Sequence, residues 1–159
     1  MTRHAGAIGQ VVVGAFWLGA SVLLAVVVAP AAFAVLPTRT LAGDVVGRVL
    51  PVIFWSGMAA AAAIMVFGVW TDATSRFKPR VLFAALAGTA CALAQFIVDN
   101  WIERLRARMG VPVDSLPVNN PLRIAFGQLH VFSVFLLGVA MVGIAVAVVL
   151  AVRDLRTRS

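Results

Sequence analysis

Residues 8–36 read IGQVVVGAFWLGASVLLAVVVAPAAFAVL and carry no charged side chain. A helix rises about 1.5 Å per residue, so roughly 20 residues cross the hydrocarbon core of a bilayer. This run is long enough to do so. Its middle, from Val22 to Val28, is rich in β-branched residues and would suit a strand in water. In lipid an isolated segment has nothing to pair with exposed amides, and only a helix satisfies them all internally. Ala32-Phe33-Ala34 resembles a signal-peptidase site, but the preceding apolar run exceeds the ~7–15-residue core of a signal peptide. A retained membrane helix is expected.

Three further uncharged runs follow: Val49 to Thr71, Val81 to Val98, and Ile124 to Val152, the last interrupted only by His130. Of the 159 residues 62% are hydrophobic and 12% charged, and the mean hydropathy is +1.03. A soluble domain carries about 25% charged residues, so this chain has too little polar surface to coat a globule in water. The expectation is an all-α integral membrane protein, a single four-transmembrane-helix bundle over residues 1–159, with spans at about 8–36, 49–71, 81–101 and 122–152.

The connections have their own signals. Pro37 breaks the chain and Thr38 is placed to cap the next helix. Arg39 to Leu50 is amphipathic, with Asp44 and Arg48 spaced i,i+4 for an ion pair. Pro51 is positioned to kink the second span, and Trp70 to mark its headgroup end. A short loop holds Asp72, Arg76, Lys78 and Arg80. The third helix is expected to run past Asp99-Asn100-Trp101 through strong helix formers to Gly110, protruding from the membrane. Residues 110–121 carry three prolines and form the one real loop, and Asn120-Pro121 is a good helix start. Small residues at Ala84, Gly88 and Ala92, at Ala59 and Ala63, and at Gly143 and Ala147 are spaced for close helix contact in lipid.

The net charge is +7, but the 13 Lys and Arg residues lie almost entirely between apolar runs. No basic stripe is interleaved with aromatics, so anchoring to anionic headgroups explains them better than nucleic acid does. Four spans place Arg3, Arg76, Lys78, Arg80, Arg153, Arg156 and Arg158 on one side. Arg39, Arg48, Arg104, Arg106, Arg108 and Arg123 fall on the other. Seven against six favours cytoplasmic termini, in a bacterial inner membrane.

The inner polar residues gather toward one side. Gln95, Asp99, Glu103 and Arg106 form one helical stripe. Gly127, His130, Val134 and Gly138 share a face of the fourth helix, with Arg123 a turn above. With Asp44 and Arg48 these make a polar cap, readable as a vestibule for an ion or small ligand, or as charges dressing helix ends. The second account is favoured for Asp99, Glu103 and the neighbouring arginines. His130 is either a histidine packed across helices or a group titrating in a pathway. Ser133 lies one turn from it but on the same helix, which does not make a nucleophile–base pair. There are only two histidines and one cysteine, Cys91, with no HxxxH, CxxC or ExxH pair, so no metal or cofactor is expected.

The segments Ala29-Pro30-Ala31-Ala32-Phe33, Leu36-Pro37, Ala42-Gly43 with Gly47, and Leu129-His130-Val131-Phe132-Ser133 together resemble a family of membrane proteins. That family includes animal transmembrane protein 205 and bacterial proteins grouped under a domain of unknown function. The resemblance implies a four-helix membrane bundle and raises His130 and Ser133 as functional positions. The family often has a proline after the third span, where Asp99-Asn100-Trp101 has none. The animal member's link to platinum tolerance is not carried across, because this chain has no matching cluster of sulfur donors.

Three functions remain open. The first expectation is a non-enzymatic accessory subunit docked on a larger membrane complex. The alternative is a small oligomeric transporter or efflux protein for an ion or small solute, using His130, Gln95 and Asp99. Third comes a haem- or metal-binding redox subunit built on His130.

Overall fold

The computed structural model describes residues 3–71 and 77–156. The expectations at Asp72, Arg76 and Arg158, and those on the side chains of Arg3, His4, Trp70 and Lys78, lie outside the described residues. No strand occurs among the described residues. Four helices are long and apolar enough to cross a membrane: α1 (Ala5–Val35), α2 (Arg39–Val69), α3 (Pro79–Met109) and α4 (Pro121–Arg156). The chain is an all-α, multi-pass membrane protein.

The helix ends follow local chemistry. Leu36, the residue before Pro37, is extended at φ −77° and ψ 143°, because the proline ring crowds the helical conformation of its predecessor. Thr38 then caps α2, its Oγ1 accepting the Leu41 N–H at 3.2 Å. Asn120 caps α4 in the same way, its Oδ1 accepting the Leu122 N–H at 2.9 Å, with Pro121 as the first helical residue. α3 closes on Gly110 at φ +63°, a left-handed position that glycine enters without steric penalty.

Two helices are interrupted by wide turns. Pro30 has no N–H to give the Val26 carbonyl, and its ring would strike that carbonyl in a regular helix. The five residues Leu24–Val28 relax into a π turn, and the Ala29 N–H bonds back to the Leu24 carbonyl. A second π turn, Ala94–Val98, lies in α3 without a proline. α2 passes through Pro51 as helix, so the amphipathic stretch from Arg39 and the second apolar run form one element.

Consecutive helices pack side by side, and α4 closes the ring onto α1. The α1, α2 and α3 cores meet at the Trp17 indole, which donates to the Ile53 carbonyl at 3.0 Å. It also lies against Gly57, where a Cβ would stand 2.8 Å from the ring and 2.7 Å from the Cys91 sulfur. Gly143 is as tight: a Cβ there would meet the Phe83 carbonyl oxygen at 2.8 Å and the Ala87 Cβ at 3.0 Å. Of the expected small-residue sets, Gly143 and Ala147 are buried and Gly88 approaches Ala61. Ala59 is exposed, and the α2 contact runs through Gly57, Ala60 and Ala61 instead. The face of α3 that is buried is Ala84, Ala87, Cys91 and Ala94, with Ala92 at its edge.

Only 22% of the apolar window of α1 is buried inside the bundle, and no more than 39% of any other. Lipid must therefore cover the rest, including Phe16, 81% exposed. Because the Gly143 contact is to backbone, Gly143→Ala has to push α3 and α4 apart, and overpacking of this kind costs about 1–3 kcal/mol. A Cβ at Gly138 would have nothing within 4 Å, so Gly138→Ala should gain helix propensity at no packing loss. Thermal unfolding in mild detergent should show the first variant well below wild type and the second at or above it.

Candidate functional site

At the end of the bundle where α2 and α4 begin and α3 finishes, the helices enclose a cavity of about 490 Å³. Phe33 of α1 contributes to its wall, and Val111, Pro112 and Val113 of the 110–120 loop fold against it. Leu50, Pro51, Phe54 and Phe126 give it an apolar lining, and its charged residues come from α2, α3 and the 110–120 loop.

The structure brings together Asp44, Asp99, Glu103, His130 and Ser133, all of which line the cavity. Three other expected residues do not. Arg48 is exposed on the outside of α2, and the expected Asp44–Arg48 pair is not formed. Asp44 instead meets Arg106 of α3 at 3.1 Å, a cross-helix partner that helical spacing alone does not reveal. Arg123 turns back to the loop, its Nη1 donating to the Leu116 carbonyl at 2.6 Å. Gln95 stands behind the wall, donating from Nε2 to Asp99 Oδ2 at 3.2 Å while its own Oε1 is buried without a partner.

The π turn explains why the α3 stripe divides. A turn widened by one residue places Ala94 and Asp99, five apart, on the same wall. Beyond it Asp99, Ile102, Glu103 and Arg106 follow at ordinary helical spacing, while Gln95 rotates off the face. On α4 the expected face also shifts. Ser133, Leu136, Leu137 and Ala140 are buried, whereas Val134 is 51% exposed. His130 therefore sits at the border between bundle and lipid, and Val134 and Gly138 turn outward.

Arg106 is the residue that sequence reasoning undervalued. Its guanidinium pairs with Asp44, lies 4.0 Å from Glu103, and stacks over the Phe126 ring at 5.5 Å. Gly47 of α2 lies beside the guanidinium, and a Cβ there would make ordinary contact with Arg106 Nη2 at 3.8 Å. Asp114 was not anticipated either. Its carboxylate accepts the Thr40 N–H at 2.8 Å and the Thr40 hydroxyl at 2.9 Å, tying the loop to the start of α2. That amide is one of the unpaired donors of the first helical turn, where negative charge is also favoured.

A second polar cluster, also unanticipated, closes the opposite end. Arg80, 3% exposed, pairs with Asp154 of α4 at 2.9 Å and donates to Gln10 Oε1 of α1 at 3.3 Å. A glutamine inside an apolar span was the one sequence signal for it. Among the described residues no group of three or more His, Cys, Asp or Glu is placed to hold a metal ion.

The Thr40 hydroxyl, then its amide, hold the Asp114 carboxyl below the usual carboxylate range. A lowered folded-state pKa stabilises the latch above the unfolded value of about 3.9, and the benefit is lost as pH falls through the folded value. Asp114→Ala should therefore speed hydrogen exchange at the Thr40 amide several-fold at neutral pH. The difference from wild type should vanish in acid.

A family model described as a domain of unknown function, DUF4149, matches residues 12–110. The match takes in most of α1 and all of α2 and α3, including Phe33, Gly43 and Gly47; α4, with Leu129 to Ser133, lies beyond it. No curated protein and no solved structure matches the chain. With well over half its length matched, and with the four-helix architecture in place, the chain belongs to the DUF4149 family.

Proposed function

We propose that this protein is a membrane-embedded binding protein for a small solute, acting as a small transporter or permeation pathway without catalysing a reaction. One observation carries it. Phe33, Gly43, Gly47, His130 and Ser133 come from the separate segments behind the family resemblance, and all line the same cavity as Asp44, Asp99 and Glu103. Ionisable groups facing an internal cavity of a membrane bundle commonly serve a ligand or ion path. The cavity has the size of a small-molecule site and an apolar floor, which helix-end charges directed at lipid phosphates would not need.

A binding role suits the groups better than chemistry does. His130 and Ser133 project from one helix and are not hydrogen-bonded to each other, so neither activates the other. A single histidine on the wall also gives a redox cofactor little to hold it. In this reading the protein lies in a bacterial inner membrane with its termini in the cytoplasm. The Leu129 to Ser133 segment extends the kinship to animal transmembrane protein 205.

A second reading, the accessory subunit, draws on the outer face of α4. Ile124, Gly127, Val131, Phe132 and Phe135 line a shallow groove there, with the two phenylalanine rings stacked at 6.4 Å. The bare Gly138 beside it leaves a notch where another helix backbone fits.

Native mass spectrometry of the protein released from its own membrane in mild detergent separates the two. The expected result is this chain, alone or as a homo-oligomer, carrying a small non-lipid molecule. Occupancy should fall about tenfold in His130→Ala, the loss of roughly one good polar contact. Fixed amounts of other subunits, with no small molecule, would replace this reading with the accessory one.

A further inference from the structure

We infer that the cavity selects an organic cation with an apolar body, a conclusion that rests on the solute-binding reading above. The charge distribution points there first. The chain has only 6 Asp and Glu residues against 13 Lys and Arg, yet four of the six, Asp44, Asp99, Glu103 and Asp114, line this one cavity. Arg39 and Arg106 are the basic residues on the same wall. A protein with a net charge of +7 has gathered an acidic lining around this cavity.

The partners of these carboxylates differ. Asp114 is engaged by Thr40. Asp44 and Glu103 share the single Arg106 guanidinium, at 3.1 Å and 4.0 Å. Asp99 has no cation among the described residues and accepts only the Gln95 amide at 3.2 Å. A carboxylate on a membrane helix without a counter-charge is unfavourable, and a bound cation would supply one.

A second observation is independent of charge. Ser133 is 5% exposed, lines the cavity, and has no hydrogen-bond partner among the described residues. The side chain is nearly enclosed while its hydroxyl is not one of the fully buried unpaired atoms, so it reaches the cavity, where it can pair with a ligand's polar group. It lies on α4, and Asp99 lines the same cavity from α3.

Size and lining suit a larger ligand better than a bare inorganic ion. A water molecule occupies about 30 Å³, and the cavity volume is about 490 Å³. An inorganic ion would leave the Phe33, Phe54 and Phe126 rings uncovered, and no metal-binding group is present among the described residues. An ammonium or amidinium group carrying an aliphatic or aromatic body fits both halves. Its charge lies by Asp99, its body lies on the rings, and ring faces themselves attract cations. Arg106 competes with such a ligand for Asp44 and Glu103.

The test is calorimetric titration of the full-length protein in lipid nanodiscs with three probes of one shape: phenylbutyl trimethylammonium, phenylbutanol and phenylbutanesulfonate. The cation should bind at least about tenfold tighter than the alcohol, and Asp99→Asn should remove about that factor. Arg106→Gln should move the other way, tightening cation binding several-fold by releasing Asp44 and Glu103, a gain that misfolding cannot produce. Arg48→Gln, exposed and off the cavity, should match wild type. Thermal unfolding of each variant establishes that the bundle is intact. Equal binding of cation and alcohol with Asp99→Asn silent, or tightest binding of the sulfonate, would overturn the cation assignment and leave the solute-binding reading standing. Failure of all three probes to bind would remove both.

Discussion

Hydrocarbon offers no hydrogen bonds, so each backbone N–H and C=O within the bilayer must find its partner in the chain itself. Helices meet that demand within one segment, and four of them account for nearly everything else here. Once the backbone is satisfied, lipid covers an apolar surface as well as a neighbouring helix does, and little hydrophobic force remains to bring helices together. Close contact takes its place. Gly57 against Trp17 and Cys91, and Gly143 against the Phe83 backbone, bring the helices near enough for dispersion to act over long interfaces. The Trp17 indole bonded to the Ile53 carbonyl pairs a polar N–H inside that interior.

Departures from regular helix are concentrated at one end. Pro30, with the π turn before it, Pro51, and the π turn at Ala94–Val98 all lie in the half of the bundle that holds the cavity. Pro51 has no N–H for the Gly47 carbonyl, and both residues line the cavity. Irregular backbone inside a membrane is tolerated where it borders a cavity or other protein. The π turn in α3 brings Ala94 and Asp99, five residues apart, onto the same cavity wall, with Glu103 following one turn later.

The two ends treat charge in opposite ways. At the end near the termini, Arg80 is enclosed, paired with Asp154 and bonded to Gln10, which sets α1, α3 and α4 in register. Breaking such an enclosed pair strands a buried charge, so the cluster acts as a structural tie. At the cavity end Arg106 is a third exposed and shares its charge between Asp44 and Glu103, and Asp99 has no cation among the described residues. One end is closed by its polar groups, and the other presents them to a space of ligand size.

Length, hydropathy and capping are local properties, and the class of the molecule was legible from them alone. Four apolar runs, Thr38 and Asn120 as caps, Gly110 as a stop and the polar residues gathered toward one side could all be read along the chain. The same reading placed Asp44, Asp99, Glu103 and His130 together as candidates, since residues at the same depth on neighbouring spans must lie at the same end, and the family resemblance added Ser133. Their partners emerged only from the packing of the helices. Asp44 has an arginine one turn away in Arg48 yet pairs with Arg106 of another helix, because side-chain pairing depends on how each helix is rotated about its axis. That rotation is set by glycine contacts and shifted by a π turn without sequence punctuation, which is why Gln95 left the stripe and Arg106 entered the centre. The Asp114 latch and the Arg80–Asp154–Gln10 cluster were equally illegible, because each joins residues far apart in the chain that meet only when four helices close into a ring.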